Sequence, residues 1–185
     1  MGSPKALLEY RGETFIGRLV RIFSQVCDPV IVVLGFHAGE IGPRISGARS
    51  RVQVVINPEP ERGQLSSLQS GLAALPADAE AFLFLPVDCP TVQASTVTEV
   101  IEQFHRREPG TQFVVPRYQG KHGHPVCGVR SLAGEFLALP ASAQARDVVH
   151  AHVPGTMYVD VDDPGILRDV DDPEAYRQML EASRG

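Results

Sequence analysis

Long apolar runs, paired cysteines and an excess of basic residues are all missing from this 185-residue chain. No stretch approaches the ~18 consecutive apolar residues that a membrane-spanning helix needs. The longest, Pro29 to Leu34, has the length of a strand. The opening residues, MGSPKALLEYRG, contain neither a long apolar segment nor a small-residue cleavage site, so no signal peptide is expected. The three cysteines, Cys27, Cys89 and Cys127, are widely spaced and form no CxxC pair. That argues against a disulfide framework or a zinc site, and makes a reducing cytoplasm the natural setting. A formal net charge of −5 argues against a general nucleic-acid surface, which needs clustered Lys and Arg. One locally positive pocket for a small anion remains compatible with it.

What the chain does contain is ordinary for a globular protein, with 43% apolar and 21% charged residues. Its length suits one domain over residues 1–185, with no linker long enough to divide it and no internal repeat. Strand-like and helix-like segments alternate. Thr14 to Val26 places Phe15, Leu19, Ile22, Phe23 and Val26 on one helical face, with Arg18 and Arg21 opposite. PVIVVLG (29–35) reads as a strand buried on both faces, followed by RVQVVIN (51–57) and AFLFLPVD (81–88). Helices are expected over 66–75, 95–107, 131–139 and 143–152, and further strands over 112–116, 124–129 and 156–161. A last helix opens at Asp172-Pro173-Glu174, with Asp172 as N-cap and Pro173 in the first helical position. This alternation predicts an α/β domain with a mostly parallel sheet covered by helices on both faces.

In open α/β sheets ligands bind beyond the carboxyl ends of the strands, so the loops there carry the functional information. NPEPERGQLSSLQSGL (57–72) offers Gly63 and free backbone amides to an anion or ribose hydroxyl; alternatively Ser66 or Ser67 simply caps the helix. LPVDCP puts Asp88 at a strand end, where it suits either a divalent cation or an Asx turn. GKHGHPV (120–126) combines Lys121, His122 and His124 with two glycines, fitting a phosphate-closing loop or a plain surface loop. LRDVDDPEAY places Asp169, Asp171 and Asp172 before the last helix, where they form a second set of carboxylates or a solvated acidic turn. Cys89 has no basic partner in its local sequence and reads as a tightly fitting core residue rather than a nucleophile.

Together and in this order, MGSPKALLEYRGETF, NPEPERGQLSSLQSGL, LPVDCP, GKHGHPV and DVDDPEAY resemble the MobA-like nucleotidyltransferases, especially their molybdenum cofactor cytidylyltransferase branch. The resemblance covers essentially the whole chain. It implies a Rossmann-like three-layer αβα sandwich and a Mg²⁺-dependent transfer of CMP, less readily GMP, from a nucleoside triphosphate to molybdopterin, with release of pyrophosphate. By the same resemblance Lys5 neutralises the triphosphate, Asp88 is the principal metal ligand, and Asp171 (less securely Asp169) is the second. Gln64, Ser66, Ser67 and Gly71 lie along base and ribose, and Gly123, His124 and Pro125 face the acceptor. CTP is favoured because the GHPV and DVDDPEAY segments look like the cytidylyl branch. A molybdoenzyme or delivery factor is an implied partner, with no nucleic acid and no membrane.

The chain departs from that family at its start. The family opens with a buried first strand, a Gly-rich loop and an Arg around the triphosphate, and Met1 falls where that loop should be ending. The first strand is therefore expected to be missing from the sheet. Because it is central in the family, two strand edges are expected to be exposed and a set of phosphate-binding amides lost. Two accounts stay open: a start assigned too late, with roughly 15 to 25 further residues upstream, or a short form that binds nucleotide poorly. Besides molybdopterin transfer, two other functions stay in view. One is transfer to another small phosphate such as a sugar phosphate; the other is a non-catalytic module that holds nucleotide or cofactor.

Overall fold

Thr14 shows how local chemistry starts the fold. Its extended backbone leaves the hydroxyl free to accept from the Gly17 N–H at 3.1 Å, which opens a helix whose apolar face is almost wholly buried. The computed structural model describes residues 3–45 and 51–183, so Met1 and Gly2 of the opening motif lie outside it. After a 3-10 turn at Lys5–Leu7 come β1 (Glu9–Tyr10), β2 (Glu13–Thr14) and α1 (Phe15–Phe23). These are followed by β3 (Val30–Leu34), α2 (Ala38–Ile41), β4 (Val52–Ile56), α3 (Gln64–Ala73), β5 (Ala81–Phe84) and α4 (Ala94–His105). The second half contains β6 (Phe113–Tyr118), β7 (Lys121–His122), β8 (Val126–Val129), α5 (Ala133–Leu137), α6 (Ala145–Ala151), β9 (Thr156–Asp160) and α7 (Pro173–Ala182).

The three-layer α/β expectation holds, with a mixed sheet in two pieces. Strands β3 and β4 pair in parallel as one piece. The other runs β5-β8-β6-β7, with β9 joining β6 in parallel. Strand β8 lies antiparallel to both β5 and β6 because the chain returns to it through β7, without a helical crossover. Helices α1 and α4 cover one face, meeting β3 and β6; α3, α5 and α6 cover the other. Phe136 of α5 anchors that second layer, fully buried and edge-on to Phe82, Phe84 and Phe113.

Two details differ from the sequence expectations. Strand β3 is not buried on both faces: Val30, Val32 and Leu34 are buried, whereas Ile31 and Val33 are only half-buried. Those two side chains line an open cleft, with α3 reaching Val33 at its border. Helix α3 begins at Gln64, earlier than a serine cap would place it, because Gly63 at φ 84° makes the turn. Ser66 is left inside the first turn and is not its cap.

Candidate active site

The carboxyl ends of β4 and β5 converge on the first turn of α3. Asn57, just after β4, donates from Nδ2 to the hydroxyls of Ser66 at 2.8 Å and Ser67 at 3.1 Å. Gln64, on the same turn, donates to Asp88 Oδ2 at 3.5 Å. Asp88 follows β5 after Leu85, Pro86 and Val87, and is held by a backbone bond in which the Val170 N–H donates to its carbonyl at 2.8 Å. Val170 is buried with Tyr10, Phe15 and Met179. Burying that one side chain sends its neighbours Asp169 and Asp171 the other way, as alternation in an extended segment requires. Lys5 arrives from the far end of the sequence because the buried Ala6 fixes its 3-10 turn against the core.

One lysine thus meets two carboxylates, and a third, Asp169, stands beside one of them. Lys5 Nζ lies 3.0 Å from Asp171 Oδ1 and 3.8 Å from Asp88 Oδ2. Burial pushes the Asp88 carboxyl above its usual range, the Lys5 charge offsets part of this, and the Asp169 and Asp171 charges add to it. A divalent cation would relieve that excess of negative charge. Among the described residues, ligand atoms of Asp88, Cys89 and Asp169 lie within 4.8 Å of one another. The carboxylate oxygens suit a hard ion such as Mg²⁺. Cys89 does not: burial raises its pKa far above neutrality, and its thiol donates to Asp169 Oδ1 at 3.0 Å. It is a fully buried packing residue, as its sequence context suggests.

The structure re-sorts the residues expected from sequence. Asp169 stands beside Asp88, while Asp171 is mostly exposed and is joined to Asp88 through Lys5. Gln64 and Ser67 line the cleft. Ser66 does not: its hydroxyl is buried and donates to the carbonyls of Glu59 and Gly63, which makes it a pin for the turn. Gly71 borders the cleft where α3 presses on β3, and a Cβ there would sit 3.1 Å from Val33 Cγ2, so close packing explains this glycine. Gly123 and His124 reach the cleft, whereas Pro125 is buried beneath them. Lys121 is exposed on β7 and does not line the cleft.

Two functional supports escaped the sequence reading. Arg18, expected on the solvent face of α1, instead donates to the carbonyls of Pro90 at 2.8 Å and Val92 at 3.0 Å, bracing the turn after Asp88. Asp163 is buried and accepts from the Gln93 N–H, the Thr96 hydroxyl and the Gly165 N–H. A signal for Asp163 is present: the pentapeptide DVDDP occurs at 160–164 and again at 169–173. In each copy the Asp before the Pro caps a following turn with that Pro in its first position.

Gly123 is needed for space. A Cβ there would overlap the carbonyl oxygen of Ile166, with the carbonyl carbon at 2.7 Å, and that oxygen already accepts from the His124 N–H at 3.0 Å. Gly123→Ala is expected to cost about 1–3 kcal/mol by overpacking, lowering the melting temperature by roughly 2–12 °C. Gly134→Ala in α5, where a Cβ meets nothing within 4 Å, is the control and should hold or raise it. Equal melting temperatures for the two variants would refute the account.

His124 is mostly buried, with its ring edge-on to Phe84 at 6.0 Å. Burial holds its pKa below the ordinary value of 6.5, against the pull of the Asp169 and Asp88 charges. The unfolded chain therefore takes up a proton there that the folded chain resists. The stability His124 contributes is complete above pH 6.5 and is lost as pH falls through the lowered folded value. Thermal melts at pH 7, 6 and 5 should show a smaller acid-side decline for His124→Gln than for the parent. Parallel declines would show that His124 is not the source.

Comparison with known proteins adds four findings. The family model of the MobA-like NTP transferase domain matches residues 1–156. The molybdenum cofactor cytidylyltransferase of Escherichia coli (strain K12) is 24% identical over 178 residues, spanning 95% of this chain and 86% of the relative. A probable molybdenum cofactor guanylyltransferase of Bacillus cytotoxicus is 27% identical over 122 residues, or 65% of this chain and 57% of the relative. Among solved structures, protein Rv0371c of Mycobacterium tuberculosis H37Rv, in complex with manganese, superposes with a TM-score of 0.75 at 30% identity. That match covers 97% of this chain and 93% of the other.

Proposed function

Given that the chain belongs to the MobA-like NTP transferase family, we propose that it transfers CMP from CTP to a molybdopterin-type acceptor and releases pyrophosphate. The observation that carries this reading is the convergence of Lys5, Asp88 and Asp169 at the strand ends beside the first turn of α3. An oxygen of the acceptor phosphate attacks the α-phosphorus in line. A new P–O bond forms as the bond to the bridging oxygen breaks, and pyrophosphate leaves with that electron pair. Such a step asks for positioning and charge neutralisation rather than a nucleophilic side chain. Lys5 neutralises the leaving pyrophosphate. Asp88 and Asp169 would hold a divalent cation, Mg²⁺ by the hardness of their oxygens, which would supply further charge neutralisation. Gln64 and Ser67 lie along the nucleotide, and Gly123 and His124 present the acceptor.

The cytidylyl preference is supported by the relative that spans most of this chain. The test is pyrophosphate release from CTP or GTP with molybdopterin, with and without Mg²⁺. Release with CTP that requires Mg²⁺ is the expected result. Release with GTP alone would reassign the base, and release only with a sugar phosphate would reassign the acceptor. Binding of nucleotide without release would favour a non-catalytic module.

A further inference from the structure

Beyond the loop that carries Gly123 and His124, the cleft is lined by a run of aromatic rings. Phe84 stands edge-on to His124 at 6.0 Å. His122, two residues earlier, stacks on Tyr158 of β9 with ring centroids 4.0 Å apart and planes 16° apart. All four side chains line the cleft. The sheet sets this stack up. His122 of β7 lies opposite Arg117 of β6, and Arg117 lies opposite Asp160 of β9, so the three strands form one row. Tyr158 shares the face of Asp160, two residues away along β9. Arg117 holds Asp160 through two hydrogen bonds of 2.7 Å and places its guanidinium carbon 6.0 Å from the Tyr158 centroid.

A simple tie between β7 and β9 would leave no ring open to the cleft. Here Tyr158 is half-buried, but His122 is exposed. One face of its imidazole rests on Tyr158, which leaves the other free for a further flat ring. The position suits the acceptor rather than the nucleotide, because His122 adjoins Gly123 and His124 whereas the nucleotide lies along Gln64 and Ser67. A pterin-type acceptor carries its phosphate at one edge of a flat fused ring system. With that phosphate near Asp88 and Asp169, the ring must be held further off. His122 stands two residues beyond His124, a step of about 3.3 Å per residue in extended chain. Tyr158 itself lies outside residues 1–156, the segment that the family model matches.

We propose that the stacked pair of His122 and Tyr158 is the platform for the acceptor's flat ring system, with His122 in contact and Tyr158 backing it. The proposal rests on the transferase reading for the kind of acceptor, and a binding measurement without nucleotide separates the two. The probe is 6-hydroxymethylpterin, whose fluorescence reports stacking, titrated into the full chain without CTP or Mg²⁺. His122→Leu and Tyr158→Leu should each raise its Kd about 5- to 150-fold, the equivalent of a ring stack worth ~1–3 kcal/mol. His122→Trp and Tyr158→Phe keep a flat ring and should bind nearly as the parent does. CTP should not displace the probe. Parent-like binding by both leucine variants, loss of binding in Tyr158→Phe, or no binding by the parent would overturn the platform. Displacement by CTP would assign the rings to the nucleotide base and overturn it as well. His122 is exposed, so its leucine variant keeps the fold, which a thermal melt checks, and the test stands even where Tyr158→Leu unfolds. Ring-dependent pterin binding with no pyrophosphate release from any nucleoside triphosphate would sink the transferase reading and leave the platform in place.

Discussion

Asp88→Asn is expected to lower nucleotidyl transfer by about a thousandfold while leaving the folded chain as stable as before, or more so. On the proposed role of Asp88 as a ligand of the cation, about 4 kcal/mol of lost electrostatic stabilisation corresponds to three powers of ten. The stability gain follows from the pKa. Burial raises the Asp88 carboxyl above its usual range despite Lys5 beside it, and Asp169 and Asp171 add repulsion. A carboxyl raised in the folded state favours folding when protonated, so its contribution is lost as pH rises through the folded value. Above that folded value the ionised group burdens the fold, and the neutral amide removes that burden. Lys5 keeps its 3.0 Å partner Asp171 in the variant. Steady-state pyrophosphate release and a thermal melt on the same preparation check both halves. A large fall in melting temperature would recast Asp88 as a structural residue.

Asp163→Ala should be among the most destabilising single changes in the chain, costing about 3–5 kcal/mol out of a typical total of about 5–15. Its carboxylate is 2% exposed and accepts three hydrogen bonds, from the Gln93 N–H at 2.8 Å, the Thr96 hydroxyl at 2.7 Å and the Gly165 N–H at 2.8 Å. Removing it strands two backbone donors and a hydroxyl away from water. The first of these starts α4, and the last shapes the turn whose Ile166 carbonyl receives the His124 N–H. Activity should fall with stability, because the same turn leads into Asp169. Urea denaturation would measure the loss, and Thr96→Val, which deletes one bond, should cost about 1 kcal/mol. A loss below 1 kcal/mol for Asp163→Ala would show that the three donors find other partners.

Much of the architecture was legible because it rests on near-neighbour rules. The apolar period of α1, the Asp172 cap with its 2.8 Å bond to the Ala175 N–H, and the strand runs all follow from spacings of four residues or fewer. The positions of the candidate site were legible for a similar reason, since loops after parallel strands must lie at one end of the sheet. Side-chain partners across long separations were not legible. Arg18 reads as a solvated helix residue until Pro90 and Val92 are brought to it, and Ser66 reads as a cap until Gly63 opens the helix earlier.

The two DVDDP segments mark where the sequence stops deciding. Identical letters specify the same local act in both places: an Asp caps a turn that begins with Pro. Their surroundings then part them. The first capping residue, Asp163, is buried against the start of α4, where its charge is spent on three donors. The second, Asp172, stays exposed, while Val170 before it is buried and turns Asp169 toward Asp88 and Asp171 toward Lys5. Only packing separates a structural carboxylate from a site carboxylate here, because burial and charge partners come from residues tens of positions away.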